Sequence, residues 1–236
     1  MKNWFYYFTK LTCWLVFRFR FGLEVVGQEH VPKTGPFIIA SNHISFLDPP
    51  LVGVACPRRL RFMARADLFG HTLLGLFLRG VRVIPLRRGE ADVSAVRAAL
   101  AALQDGEPVA IFPEGTRQLS GTLGTAKRGV GLLAEAARVP VIPALVQGTR
   151  QALPPDARRL YPSKIRVAFG PPIPYTERPV PSLQDHGQAG QAGELTRPDS
   201  QQSQGGHAAR DRHERLAAAV TEAWRRLEAH PHPHQG

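Results

Sequence analysis

The sequence predicts an α/β fold, a single domain whose mixed, largely parallel central sheet is flanked by helices, with a membrane-associated helical segment at the N-terminus. Three observations lead there. Short apolar runs of strand length alternate with stretches of helical periodicity between residues 36 and 169, the pattern of successive βα units. A chain of 236 residues is long enough to give one such domain a sizeable core. Polar loops follow two of the strongest strand candidates, where an open α/β sheet usually places its site.

Residues 1–26 form the first segment. Trp4, Phe5, Tyr6, Tyr7, Phe8 and Trp14 stand in an almost wholly apolar run over residues 4–17, broken by Lys10 and followed by Arg18 and Arg20. The run is shorter than the roughly 20 apolar residues that span a bilayer. No small-residue cleavage site follows it, which argues against a secretory leader. Aromatic rings and arginines suit the water–lipid boundary, so the segment reads as an amphipathic membrane-docking helix.

Residues 27–176 form the α/β domain. Strands are predicted at 36–41, 60–64, 81–86, 109–112, 141–146 and 165–169. Helices are predicted at 66–78, 91–103 and 127–138, and another from Asp48, with the aspartate as cap and Pro49 at the first helical position. Residues 177–206 are rich in Gln, Gly, Pro and Ser and poor in large apolar residues. They cannot bury enough surface to offset their ordering entropy and read as a flexible insertion. Residues 207–236 regain helical spacing through Leu216, Val220, Trp224 and Leu227 before a tail.

Composition removes several classes. At 43% hydrophobic and 21% charged, the chain is neither disordered throughout nor a polytopic membrane protein. Cys13 and Cys56 make no disulfide scaffold, and no Cys/His spacing suggests a metal site. The 30 Lys+Arg against 19 Asp+Glu give a formal charge of +11, which points to an anionic partner.

Two loops carry chemistry. In Ser41-Asn42-His43-Ile44-Ser45-Phe46-Leu47-Asp48, His43 is a candidate general base and Asp48 can fix its tautomer and stabilise the imidazolium. In Phe112-Pro113-Glu114-Gly115-Thr116-Arg117, Gly115 permits close backbone approach to a ligand. Arg117 offers a fork of donors to phosphate, Thr116 adds a hydroxyl, and Glu114 accepts from a substrate hydroxyl or anchors a basic group. A third region sets Arg82, Arg87 and Arg88 beside a strand end between Gly80 and Gly89.

Taken together, these motifs resemble the glycerolipid acyltransferase family, of the bacterial 1-acylglycerol-3-phosphate type. Asn42-His43-x-Ser45-x-x-Asp48 is similar to its first block and Phe112-Pro-Glu-Gly-Thr-Arg117 to its third. Residues 80–89 are similar to the second block, with Arg88 at the place of its arginine, and residues 139–143 to the fourth; Gly148-Thr149 also falls in the family's pattern. Arg65 departs from the usual lysine, Pro85-Leu86-Arg87 departs from the commoner acidic residue before Arg88, and the Gln/Gly-rich insertion matches nothing in the family.

The resemblance implies an O-acyltransferase in phospholipid synthesis at the cytoplasmic face of the cell membrane. A fatty acyl group would pass from acyl-CoA or acyl-carrier protein to the free hydroxyl of lysophosphatidate, giving phosphatidate. His43 and Asp48 would be catalytic, and Arg88, Glu114, Gly115, Thr116 and Arg117 would hold the glycerol phosphate. The implied partners are membrane phospholipids, lysophosphatidate and the acyl donor, with no metal, no cofactor and no nucleic acid. Another lyso-lipid or glycerol 3-phosphate as acceptor, or a thioesterase or lipid hydrolase using the same base, are the alternatives. Eight arginines stand against one aspartate between Arg58 and Arg88, which places much of the excess charge beside the expected phosphate site.

Overall fold

Strand β2 (Ile38–Ser41) lies at the centre of the molecule because both its faces are apolar. Ile38 and Ala40 point to one side, Phe37 and Ile39 to the other, and all four are fully buried. A strand that is hydrophobic on successive residues needs cover on both faces. A computed structural model, which describes residues 2–86, 93–157, 159–175 and 199–229, shows that cover. One face carries α1 (Lys2–Phe21) and α2 (Asp48–Ala55); the other carries α4 (Val93–Gln104), α5 (Gly129–Ala137) and α7 (Asp199–Ala229). Each large side chain sealed between the layers, such as Ile39 or Trp224, contributes about 2–3 kcal/mol by leaving water.

The sheet has seven strands: β1 (Glu24–Val26), β2, β3 (Arg61–Arg65), β4 (Ile84–Leu86), β5 (Val109–Ile111), β6 (Val141–Gln147) and β7 (Arg166–Phe169). Their order is β1-β7-β6-β2-β5-β3-β4. From β6 to β4 every neighbour is parallel; β7 runs antiparallel to β6, and β1 pairs parallel with β7. The architecture is therefore the mixed, largely parallel α/β domain that the sequence predicts. The carboxyl ends of β5, β2 and β6, adjacent at the centre, all open on the same edge, so the loops that follow them converge.

Several elements differ from expectation. The helix predicted over 66–78 is a 3₁₀ turn (Ala66–Gly70) followed by α3 (Thr72–Gly80). The chain also forms α6 (Thr149–Ala152), after Gly148 turns with φ of 82°. The last helix begins at Asp199, inside the segment 177–206 expected to be flexible; residues 177–198 lie outside the described residues. Helical hydrogen bonding propagates N-terminally from a docked core once nucleated, so weak helix formers can extend the first turns. Trp224 anchors that core: it is fully buried and its indole Nε1 donates to Ala40 O of β2 at 3.0 Å.

Candidate active site

The loop after β2 is folded around one carboxylate. Asp48 is fully buried, and its Oδ2 accepts the backbone N–H groups of Ile44 and Ser45 at 2.7 Å each. The same oxygen lies 3.0 Å from His43 Nδ1. With Asp48 ionised it can only accept, so Nδ1 carries the proton and Nε2 is left with a free lone pair. The sequence expectation that Asp48 caps its helix is corrected: Asp48 is already inside the helix, Leu47 occupies the cap position, and no side chain caps it. The carboxylate reaches back into the loop instead of forward into the helix.

Further contacts hold the loop to its neighbours. Asn42 Nδ2 donates to Val146 O at 3.0 Å while its Oδ1 accepts Val146 N–H at 2.7 Å, fastening the loop to β6. Thr149 Oγ1, just beyond β6, donates to Asp48 Oδ1 at 2.7 Å. The His43 ring stacks on Phe112 with centroids 4.4 Å apart. Gln118 N–H donates to His43 O at 2.8 Å, which ties the loop to the one after β5.

In that second loop the sequence predicts Glu114 as a substrate-holding group. Its carboxylate is instead turned inward and buried: Oε2 accepts His43 N–H at 2.9 Å and Oε1 accepts Gly124 N–H at 3.0 Å. Burial pushes its carboxyl above the ordinary value, and these two backbone donors pull against that. Glu114 thus braces His43 from the backbone side. Gly115 follows with φ of 77°, in the left-handed region that favours glycine, and Thr116 is exposed beside it. The Arg117 guanidinium stacks on the Phe46 ring at 3.6 Å from its centroid, so Arg117 and the histidine loop share one rim.

Arg88 and Arg87 lie outside the described residues. For Arg58, Arg61 and Arg82 the expectation that the excess charge gathers at the site is corrected. Arg58 donates to Gly35 O and Gly106 O, just ahead of β2 and β5. Arg61 and Arg82 both pair with Glu107, at 2.9 and 2.8 Å. These three arginines therefore sit at the amino edge of the sheet, across the molecule from His43, and Arg65 pairs with Asp67. Asn42, Phe46 and Thr149 are the site residues whose contacts sequence reasoning missed. The position of Asn42 directly before His43 was its signal; the partners of Phe46 and Thr149 come from other loops.

An apolar cavity of about 440 Å³ adjoins the histidine loop, with Phe46, Pro49 and Gly53 on one wall and Tyr6, Met63 and Phe77 on the others. Lys10, the one charge in the aromatic run, turns inward here and donates to Cys56 O; burial holds its ammonium below the ordinary value. The opposite side of α1 is open, with Trp4, Tyr7, Phe8, Leu11 and Phe19 exposed. Beside it α3 exposes Leu73 (84%) and Leu76 (67%), and Phe5 meets Phe77 edge-on at 6.3 Å. No helix among the described residues is long and apolar enough to cross a membrane.

An imidazole oriented by a buried carboxylate, with an apolar cavity adjoining its loop, is the arrangement of an acid–base site on an α/β sheet. A family model described as Acyltransferase matches residues 22–147, and the chain belongs to that family. A 1-acyl-sn-glycerol-3-phosphate acyltransferase from Bacillus subtilis is 29% identical over 161 residues, covering 67% of this chain and 77% of that protein. The human 1-acyl-sn-glycerol-3-phosphate acyltransferase alpha is 33% identical over 171 residues, 69% of this chain, although the match spans only 60% of its own length. In fold the chain is similar to the crystal structure of a 1-acyl-sn-glycerophosphate acyltransferase from Thermotoga maritima, with a TM-score of 0.63 at 22% identity, covering 91% of this chain and 79% of that one.

Proposed function

We propose that this chain transfers a fatty acyl group from acyl-CoA or acyl-carrier protein to the free hydroxyl of lysophosphatidate, giving phosphatidate. The observation that carries the proposal is the His43–Asp48 pair, with Nδ1 3.0 Å from a fully buried carboxylate. His43 Nε2 takes the proton of the acceptor hydroxyl as its oxygen attacks the thioester carbonyl carbon. The tetrahedral adduct collapses, the carbon–sulfur bond breaks, and the imidazolium returns the proton to the departing thiolate. General-base help of this kind is worth typically about 10²–10⁴-fold, and positioning adds to it. No step draws on a metal or cofactor.

Arg117, with Gly115 and Thr116 around it and Arg88 from the preceding block, is the proposed grip on the glycerol phosphate. The apolar cavity takes the acyl chain. The exposed faces of α1 and α3 rest on the cytoplasmic leaflet, with Arg18 and Arg20 reaching anionic headgroups.

The deciding experiment is mass spectrometry of lipids formed from a panel of acyl donors and lyso-acceptors, with His43→Ala as control. Phosphatidate formed from lysophosphatidate, and lost in the folded variant, is the expected result. Free fatty acid without acylated lipid in excess acceptor would instead identify a hydrolase. Full turnover by His43→Ala would end the base assignment.

A further inference from the structure

We infer that Thr149 is a positioning residue for acyl transfer: its hydroxyl locks the buried Asp48 carboxylate in the orientation that holds the His43 imidazole. The inference rests on the His43–Asp48 reading proposed above.

Asp48 Oδ2 accepts Ile44 N–H, Ser45 N–H and His43 Nδ1–H, at 2.7, 2.7 and 3.0 Å. Donors on one oxygen alone leave the carboxylate plane free to tilt about the Cβ–Cγ bond. Thr149 Oγ1 restrains that tilt by donating to the second oxygen, Oδ1, at 2.7 Å. Both side chains are fully buried, so water cannot replace the hydroxyl. An ionised carboxylate only accepts, which fixes the direction of the bond, and a charge-assisted hydrogen bond is among the stronger ones.

The backbone is shaped to deliver this hydroxyl. Gly148 turns the chain at the end of β6 with φ of 82°, and a Cβ there would lie 2.0 Å from Lys164 O. Only glycine passes that point, and Thr149 follows it at the start of α6. Three residues earlier, Val146 exchanges two hydrogen bonds with Asn42. The end of β6 therefore holds the histidine loop at both ends, by backbone at Asn42 and by the Thr149 hydroxyl at Asp48.

The test compares Thr149→Val, which removes the hydroxyl at nearly constant shape, with Thr149→Ser, which keeps it. Turnover is measured on the full chain with the donor and acceptor that the unmodified protein uses. Thr149→Val should lower kcat by roughly tenfold to a hundredfold, as expected for removal of a hydrogen bond to a charged group. KM for the acceptor should stay within about twofold, because binding is untouched. The acid limb of the pH–rate profile should move to lower pH, since a carboxylate free to turn away stabilises the imidazolium less. Thr149→Ser should restore most of kcat and the original profile. In an Asp48→Asn background, Thr149→Val should cost little more.

Unchanged kcat in a folded Thr149→Val protein would overturn the inference. So would a loss with an unmoved pH profile, or a loss that adds in full to that of Asp48→Asn, because either marks a purely structural role. Should the valine variant fail to fold, Thr149→Ala against Thr149→Ser carries the same comparison. His43→Ala separates the two levels: if it remains active the base assignment fails, whereas an inactive His43→Ala beside a fully active Thr149→Val sinks only the role of Thr149.

Discussion

Asp48, itself fully buried, concentrates three donors on one oxygen and a fourth on the other. Asp48→Asn presents an NH₂ to at least one of those donors and cannot stabilise an imidazolium. Turnover should fall about 10²–10⁴-fold with little change in acceptor KM, measured by steady-state kinetics. Glu114 is a second buried carboxylate with a different task, since its oxygens take the N–H groups of His43 and Gly124. Because burial raises its carboxyl above the ordinary value, protonation favours the folded state. Stability from this group is greatest in acid, and declines as pH rises from the unfolded carboxyl's range through the folded one. Gly148 is set by the backbone opposite it. Gly148→Ala would force a methyl group against Lys164 O and hold a left-handed residue, so denaturant unfolding should register a loss of about 3 kcal/mol.

At the scale of elements, α7 is fastened to α5 by charge as well as by burial. Arg212 Nη2 lies 2.6 Å from Glu135 Oε1, and His213 Nε2 meets Oε2 of the same carboxylate. Burial pushes the Glu135 carboxyl up, but the donors from Arg212 and His213 outweigh it and hold the group below its ordinary value. The stability this supplies is present above the unfolded carboxyl's range and is lost as pH falls through the folded value. Glu135→Gln should flatten that part of the stability–pH curve and cost under about 1 kcal/mol at neutral pH, read by thermal unfolding. Periodicity made the central strands legible, because β2 and β6 are apolar on successive residues. It did not reveal β1, a three-residue strand with one sheet partner and only partial burial. The first block of the site was legible for a local reason: His43 and Asp48 are five residues apart and meet within one turn. The contact of Thr149 was not, although Gly148-Thr149 falls in the family's pattern, since it reaches Asp48 across 101 residues of chain. The arginines at Arg58, Arg61 and Arg82 misled because one-dimensional proximity to a motif cannot tell the two edges of a parallel sheet apart.

For the whole molecule, the +11 charge and the exposed faces of α1 and α3 argue one prediction together. Flotation with anionic vesicles should capture the chain, weaken as salt rises, and drop roughly tenfold or more when Trp4 and Leu73 are both replaced by serine. Activity on a dispersed short-chain substrate should survive those changes, since neither side chain touches His43 or Asp48. One contact gives the architecture a schedule. The indole of Trp224 donates to the carbonyl of Ala40, one residue before the strand runs into the histidine loop, from 184 positions further along. A ribosome adds about 5–20 residues per second, so β2 leaves it roughly ten to forty seconds before this partner exists. Through that interval β2 gains its neighbours in turn, first β5, then β6, then the final helix. The cover behind the histidine loop therefore arrives long after the loop itself, and a chain halted before residue 224 carries the loop motif without the element that closes the layer behind it.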